Sequence, residues 1–377
     1  MLDTHTNTRT SRSRALTALV AGTALALGLS SCAAPAAESD DGLRVVATTT
    51  QLADFAAKIG GERISLTALM EPGGSAHHFD PTPAELLEIG RADVLVINGA
   101  GLESFLDDAI EASGFDGTVI DASEGLDLDE LAHAGGEDGG HSHAGEESGH
   151  EHAEDEHSHA EEGADHEHAD EPEHEHADET GHEGHDHGPV NPHLWTSPNN
   201  AKGMVTEVAE GLASVDPKDA ELFHENAAAY VTQLDALDGW ISENFAQVPE
   251  AKRQFVSGHN ALAYYLHDYG ITFVGSLLPS FEDNAEPSAA EMDDLIAKIR
   301  AQGVTAIFVE SSMSPKLAEA IGRDAGVTVM TDRALYADSL GAAGSGADTY
   351  LGATIENTRV LLEAWGATPT PLPGALA

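Results

Sequence analysis

Leu43–Thr49 (LRVVATT) is a mostly apolar run of strand length, the pattern of a strand buried on both faces. A helix follows over Leu52–Ile59 and ends at Gly60-Gly61. Ile64–Leu69 reads as a strand, Pro83–Gly90 as a short helix capped by Thr82, and Asp93–Ile97 (DVLVI) as a second buried strand. Leu102–Ala112 is helical and Thr118–Ile120 a strand. The alternation returns further on, with strands predicted at Gln254–Ser257, Ile271–Val274, Val304–Val309 and Val327–Met330. The helices between and after them are Ala261–Tyr269, Ser288–Ala301, Pro315–Ala325 and Thr349–Trp365. Between the two series, Lys218–Phe245 carries Leu222, Tyr230, Leu234, Leu237 and Ile241 at roughly helical spacing.

Alternation of this kind predicts the α/β class: two lobes, each a mainly parallel sheet flanked by helices, joined by a long rigid helix. The expected bounds are 43–216 for the first lobe, 217–247 for the linking helix and 248–377 for the second lobe. Open α/β sheets bind ligands beyond the carboxyl ends of their strands, which places the site in the interlobe cleft.

Two segments stand outside this pattern. Arg9, Arg12 and Arg14 precede the apolar run Ala15–Leu29, which is shorter than the roughly 20 residues a membrane span needs. A basic start, a short apolar core and small residues before Cys32 read as a signal peptide over 1–31. Its end resembles a bacterial lipobox, with Cys32 the lipidated residue and 32–42 a tether. The expected location is outside the cytoplasm, lipid-anchored to the outer face of the cytoplasmic membrane or within a periplasm. The second segment, 133–188, holds 20 Asp or Glu, 14 His and no Lys or Arg. It cannot bury a core, so it reads as a disordered insert in the first lobe. His141, His143, His150, His152, His157, His159, His166, His168, His174, His176, His182, His185 and His187 make it an auxiliary collector of transition-metal ions.

The chain of 377 residues has a formal net charge of −49, which argues against nucleic-acid binding, since phosphate contacts need clustered Lys and Arg. The single cysteine excludes an internal disulfide and a cysteine-based zinc cluster. Neither His-Glu-x-x-His nor Gly-x-Ser-x-Gly occurs, so no enzyme activity is expected. Candidate metal ligands lie instead in loops after predicted strands: His77 and His78 in GGSAHHFDP, His193 in NPHLWTSP, His259 in QFVSGH and Asp338 in LYADSLG. Histidine with a carboxylate suits zinc.

Four of these segments resemble the zinc and manganese substrate-binding lipoproteins of ABC importers (the ZnuA/TroA type, cluster A-I). AHHFDPTPAELLEIGRADVLVINGAGLES is similar to the family's first ligand segment, NPHLWTSP to its Asp-Pro-His-x-Trp segment, SGHNALAYYLHDYGI to its third, and AEPSAAEMDDLIAKI with VTAIFVESS to the region before its fourth. The resemblance implies His77, His193, His259 and Asp338 as ligands, His77 being chosen over His78 by the His-x-x-x-Pro spacing to Pro81. The manganese branch usually has Glu at the third position and zinc binders His, so His259 implies Zn²⁺, with Mn²⁺ the rival cargo. Glu310 is expected to fix a ligand imidazole from behind, with His78 and Glu286 as further neighbours. Asn191 departs from the family's usual Asp, and Thr196-Ser197 from Leu-Asp. The implied partners are a permease and an ATPase, with the chain acting as a monomer. The loop of Asp338, flanked by Gly341, Gly344 and Gly346, is the expected mover on release.

Overall fold

Four parallel strands form the first sheet: β1 (Leu43–Ala47), β2 (Ile64–Ala68), β3 (Val94–Ile97) and β4 (Thr118–Asp121), in spatial order β2-β1-β3-β4. This is seen in a computed structural model that describes residues 42–75, 77, 79–134, 190–280 and 286–376. The signal segment, Cys32, His78 and the histidines from His141 to His187 lie outside the described residues.

The continuous apolar run of β3 is explained by its two covered faces. Val94 and Val96 join the cluster of Phe55, Val205 and Val208, while Leu95 and Ile97 join that of Ile89 and Ala109. The covering helices are α1 (Thr50–Gly60), α2 (Pro83–Ile89), α3 (Leu106–Ser113) and α5 (Pro198–Val215), while α4 (Leu128–Ala134) packs on α7 (Ala263–Asp268), a helix of the second half. Thr49 caps α1 through Leu52 N–H, and Thr82 with Glu85 makes a reciprocal capping box on α2.

Helix α6 (Ala220–Phe245) is 26 residues long, about 39 Å at the usual helical rise. It packs on α1 and α5 and also on the later helix α10 (Tyr350–Ala364). Between them come β5 (Gln254–Ser257), α7 (Ala263–Asp268), β6 (Thr272–Ser276), α8 (Ala289–Gln302), β7 (Ala306–Glu310), α9 (Lys316–Ala325) and β8 (Thr328–Leu335). β5 pairs in parallel with β6, and β7 with β8. β5 and β7 lie side by side, with Phe255 and Phe308 stacked at a ring separation of 5.2 Å. Here too the faces alternate: Phe255 and Phe308 face the large cluster shared with α6, while Val256, Ile307 and Val309 face α8 and α9.

Three elements differ from the sequence reading, one of them α4, which lies outside the predicted elements and whose residues 133 and 134 fall within the expected disordered insert. β8 runs on to Leu335 because the register shifts opposite Phe308/Glu310, which brings Leu335 beside Glu310. Helix α5 also lies outside the predicted elements, and it carries Gly203 and Gly211, which count against a helix interior. Both are required by close approach. A Cβ at Gly203 would lie 2.6 Å from the Gly125 carbonyl, and one at Gly211 would lie 2.5 Å from the Ile120 side chain. Among the described residues, no helix is long and apolar enough to cross a membrane.

Candidate metal centre

Loops after three strands and one turn ahead of α5 each deliver one side chain to a common point. His77 lies beyond β2 and is half-buried; its loop leaves into the capped start of α2. His193 ends the turn Asn191-Pro192-His193 before a short 3₁₀ helix and α5, and is fully buried. This turn follows β4 in the chain, beyond α4 and the insert. His259 stands two residues past β5, and Asp338 three past β8; both are buried. The four ligand atoms lie within 4.8 Å of one another.

The individual separations are informative. His77 Nε2 is 2.9 Å from His193 Nε2, and His193 Nε2 is 3.2 Å from His259 Nε2. Asp338 Oδ1 is 3.2 Å from His259 Nε2 and 3.5 Å from His193 Nε2. A tetrahedral ion with bonds of about 2.0–2.1 Å has edges of about 3.3 Å, so these four separations bracket that figure. The nitrogens facing away are already engaged. His193 Nδ1 lies 2.7 Å from Asn191 Oδ1, and His259 Nδ1 lies 2.6 Å from Glu310 Oε2. With both Nδ1–H groups donating, the Nε2 lone pairs turn toward one another, and a cation among them makes that arrangement favourable.

The charges are arranged to match. Burial pushes the His193 imidazole toward its neutral form, and Asp338 only partly opposes it. Burial acts the same way on His259, but the carboxylates of Glu310 and Asp338 outweigh it and hold its pKa well above the usual value. Burial would raise Asp338, but the two imidazoles hold its carboxyl well below its usual range. Two buried carboxylates and three imidazoles are together balanced by one divalent cation.

The surrounding residues were only partly visible in the sequence. Glu310 meets His259 twice, at Nδ1 and at the backbone N–H (3.2 Å). Glu286 is exposed just ahead of α8 and is not among the residues whose ligand atoms meet. Trp195 packs beside His193, with rings 5.4 Å apart, and donates its Nε1–H to the Ala337 carbonyl. His224 and His267 are exposed on α6 and α7. Asn191, noted in the sequence only as a departure, uses both ends of its amide: Oδ1 accepts from His193, and Nδ2 donates to the Asn260 carbonyl (2.8 Å). An aspartate could make the first bond but not the second.

The Asp338 loop, expected from its glycines to be the mover on release, is tied by hydrogen bonds in this conformation. Ala337 O accepts from Gln51 as well as Trp195, Leu340 N–H donates to Thr50 Oγ1, and Ser339 Oγ accepts from Gly73 N–H. All of these partners come from the chain ahead of α6.

Beneath His193 lies a carboxylate that the sequence reading passed over. Glu103 accepts from Thr48 Oγ1 (2.6 Å), Asn98 N–H (2.7 Å) and Gly99 N–H (3.2 Å). It braces a turn in which Gly99, Ala100 and Gly101 all have positive φ. Asn98 Nδ2 in turn donates to the Pro192 carbonyl, next to His193. Burial, partly offset by these donors, pushes the Glu103 carboxyl from 4.5 up to about 7. The folded state therefore holds a proton that the unfolded chain has released between these values, and stability falls as pH rises through the window. At about 1.4 kcal/mol per unit the loss is about 3 kcal/mol. Chemical unfolding in chelator between pH 5 and pH 8 is expected to show this slope, flattened by about that amount in Glu103→Gln. An unchanged slope would refute the assignment.

Comparison with known proteins agrees with this architecture. The family profile described as zinc-uptake complex component A, periplasmic, matches residues 45–364. The manganese-binding lipoprotein MntA of Halalkalibacterium halodurans is 26% identical over 315 residues, covering 83% of this chain and 85% of that protein. The iron ABC transporter substrate-binding lipoprotein MtsA of Streptococcus pyogenes is 26% identical, covering 86% and 89%. The periplasmic zinc-binding protein TroA from Treponema pallidum shares the fold, with a TM-score of 0.67 and 23% identity over 87% of this chain and all of that one. A family match across most of the chain, on an α/β scaffold of this type, has one meaning: the chain belongs to the ZnuA/TroA family of metal-binding ABC-transporter substrate-binding proteins.

Proposed function

We propose that this protein captures Zn²⁺ outside the cytoplasm and delivers it to the permease and ATPase of an ABC importer, with His77, His193, His259 and Asp338 as the ligands. The observation that carries the reading is the convergence of three imidazole nitrogens and one carboxylate oxygen. Three nitrogen donors suit zinc better than manganese, which favours oxygen. Four protein ligands leave no open position of the kind a catalytic zinc keeps for water, which supports a carrier over an enzyme. The chain is exported and lipid-anchored through Cys32, in keeping with relatives named as lipoproteins. Its lobes divide near residues 216 and 248, with α6 between them, and the histidine-rich insert collects ions loosely for the cleft. The chain works as a monomer.

Manganese is the second reading, favoured by the relative named for it. The deciding experiment offers zinc and manganese together, against a chelator of known strength, to the mature protein without residues 133–188. One tightly held zinc per chain, lost in His77→Ala, is the expected result. Preferential manganese would overturn zinc specificity, and no tight metal would overturn the ligand set.

A further inference from the structure

Asp338 does not present both oxygens to the histidines. Oδ1 faces them, at 3.2 Å from His259 Nε2 and 3.5 Å from His193 Nε2. Oδ2 accepts a hydrogen bond from Ser312 Oγ at 2.7 Å. This is the length of a good hydroxyl–carboxylate bond. Ser312 is well placed to hold it. It lies in the turn after β7, where Ser311 N–H donates to the Leu335 carbonyl and Met313 N–H to the Glu310 carbonyl. Asp338 leaves the neighbouring strand β8 on the same side. The turn therefore ties Ser312 to the strand end that carries Asp338, and to Glu310 behind His259.

We infer that Ser312 is a specificity-determining residue: by occupying Oδ2 it keeps Asp338 a one-oxygen ligand and holds the site at four donor atoms. The inference rests on the metal-site reading above and deepens it. Carboxylates bind metals through one oxygen or two, and the choice changes the coordination number. Zinc is content with four donors in a tetrahedron. Manganese is served by more oxygen donors. Freed from Ser312, Asp338 can turn its second oxygen onto the ion and raise the count to five, which favours manganese relative to zinc. Ser312 touches no ion itself and acts through Asp338.

The test uses the full chain with one equivalent of Co²⁺, whose visible d–d bands are intense in four-coordinate sites and weaker in five-coordinate ones. The His77→Ala chain supplies the spectrum of cobalt bound elsewhere, to be subtracted. The native protein is expected to give the intense four-coordinate spectrum, and Ser312→Ala the weaker five-coordinate one. Ser312→Thr, which keeps the hydroxyl, is expected to behave as native, whereas Ser312→Val, of the same shape without it, follows Ser312→Ala. The zinc-over-manganese preference is expected to fall about tenfold in the hydroxyl-free variants. If native and His77→Ala spectra coincide, the metal-site reading fails and the inference falls with it. If the native spectrum is four-coordinate and Ser312→Ala and Ser312→Val leave it and the metal preference unchanged, the site stands and the role of Ser312 is refuted.

Discussion

Replacing His193 with alanine is expected to weaken zinc binding by at least about a hundredfold. Structural zinc sites gain about 10–16 kcal/mol from four ligands, so one ligand carries about 3 kcal/mol. His193 should lie at the upper end. It is fully buried and has close contacts to all three other ligands. Its loss also removes the ring donor from Asn191 Oδ1, leaving that oxygen only the backbone N–H of residue 193. Chelator competition on the insert-deleted chain measures the effect. His224→Ala, on the exposed face of α6, is the control expected to change nothing. A loss below tenfold for His193→Ala would mean that the tight site is elsewhere.

Glu310→Ala is expected to cost the metal-free protein about 3–5 kcal/mol of stability, the usual effect of breaking a buried charged pair. Both partners are buried, and Glu310 bonds the His259 ring and backbone together. Without it the His259 ring is no longer held with Nε2 toward the cluster, so zinc affinity should also fall by about 10–100-fold. Glu310→Gln retains an acceptor oxygen and should lose less on both counts. Chemical unfolding in chelator, followed by zinc competition, separates the two effects. Equal losses for Ala and Gln would show that the charge matters and the orientation does not.

How much of this was legible beforehand follows from which contacts are local. Continuous apolar runs in β3 and β7 mark strands, because a strand buried on both faces is apolar at successive positions. Histidine and aspartate in the loops could be singled out as candidates, and the structure brings His77, His193, His259 and Asp338 together. Helix α5 was not legible. Its glycines oppose a helix locally and are needed only because Gly125 and Ile120 press against it. Nor was the fastening of the Asp338 loop, which depends on Gln51, Thr50 and Trp195, well over a hundred residues away.

The sequence by itself thus determined the alternating α/β scaffold, the charge that argues against nucleic acid and a short set of candidate metal ligands in loops. These are properties of composition and short-range periodicity. Only the tertiary structure decided how those residues are aimed: Asn191 behind His193, Glu310 behind His259 and Ser312 on the far oxygen of Asp338. The reason is physical. A hydrogen bond is directional over less than about 3.5 Å, and these partners are brought within reach only when separate strand ends are packed side by side.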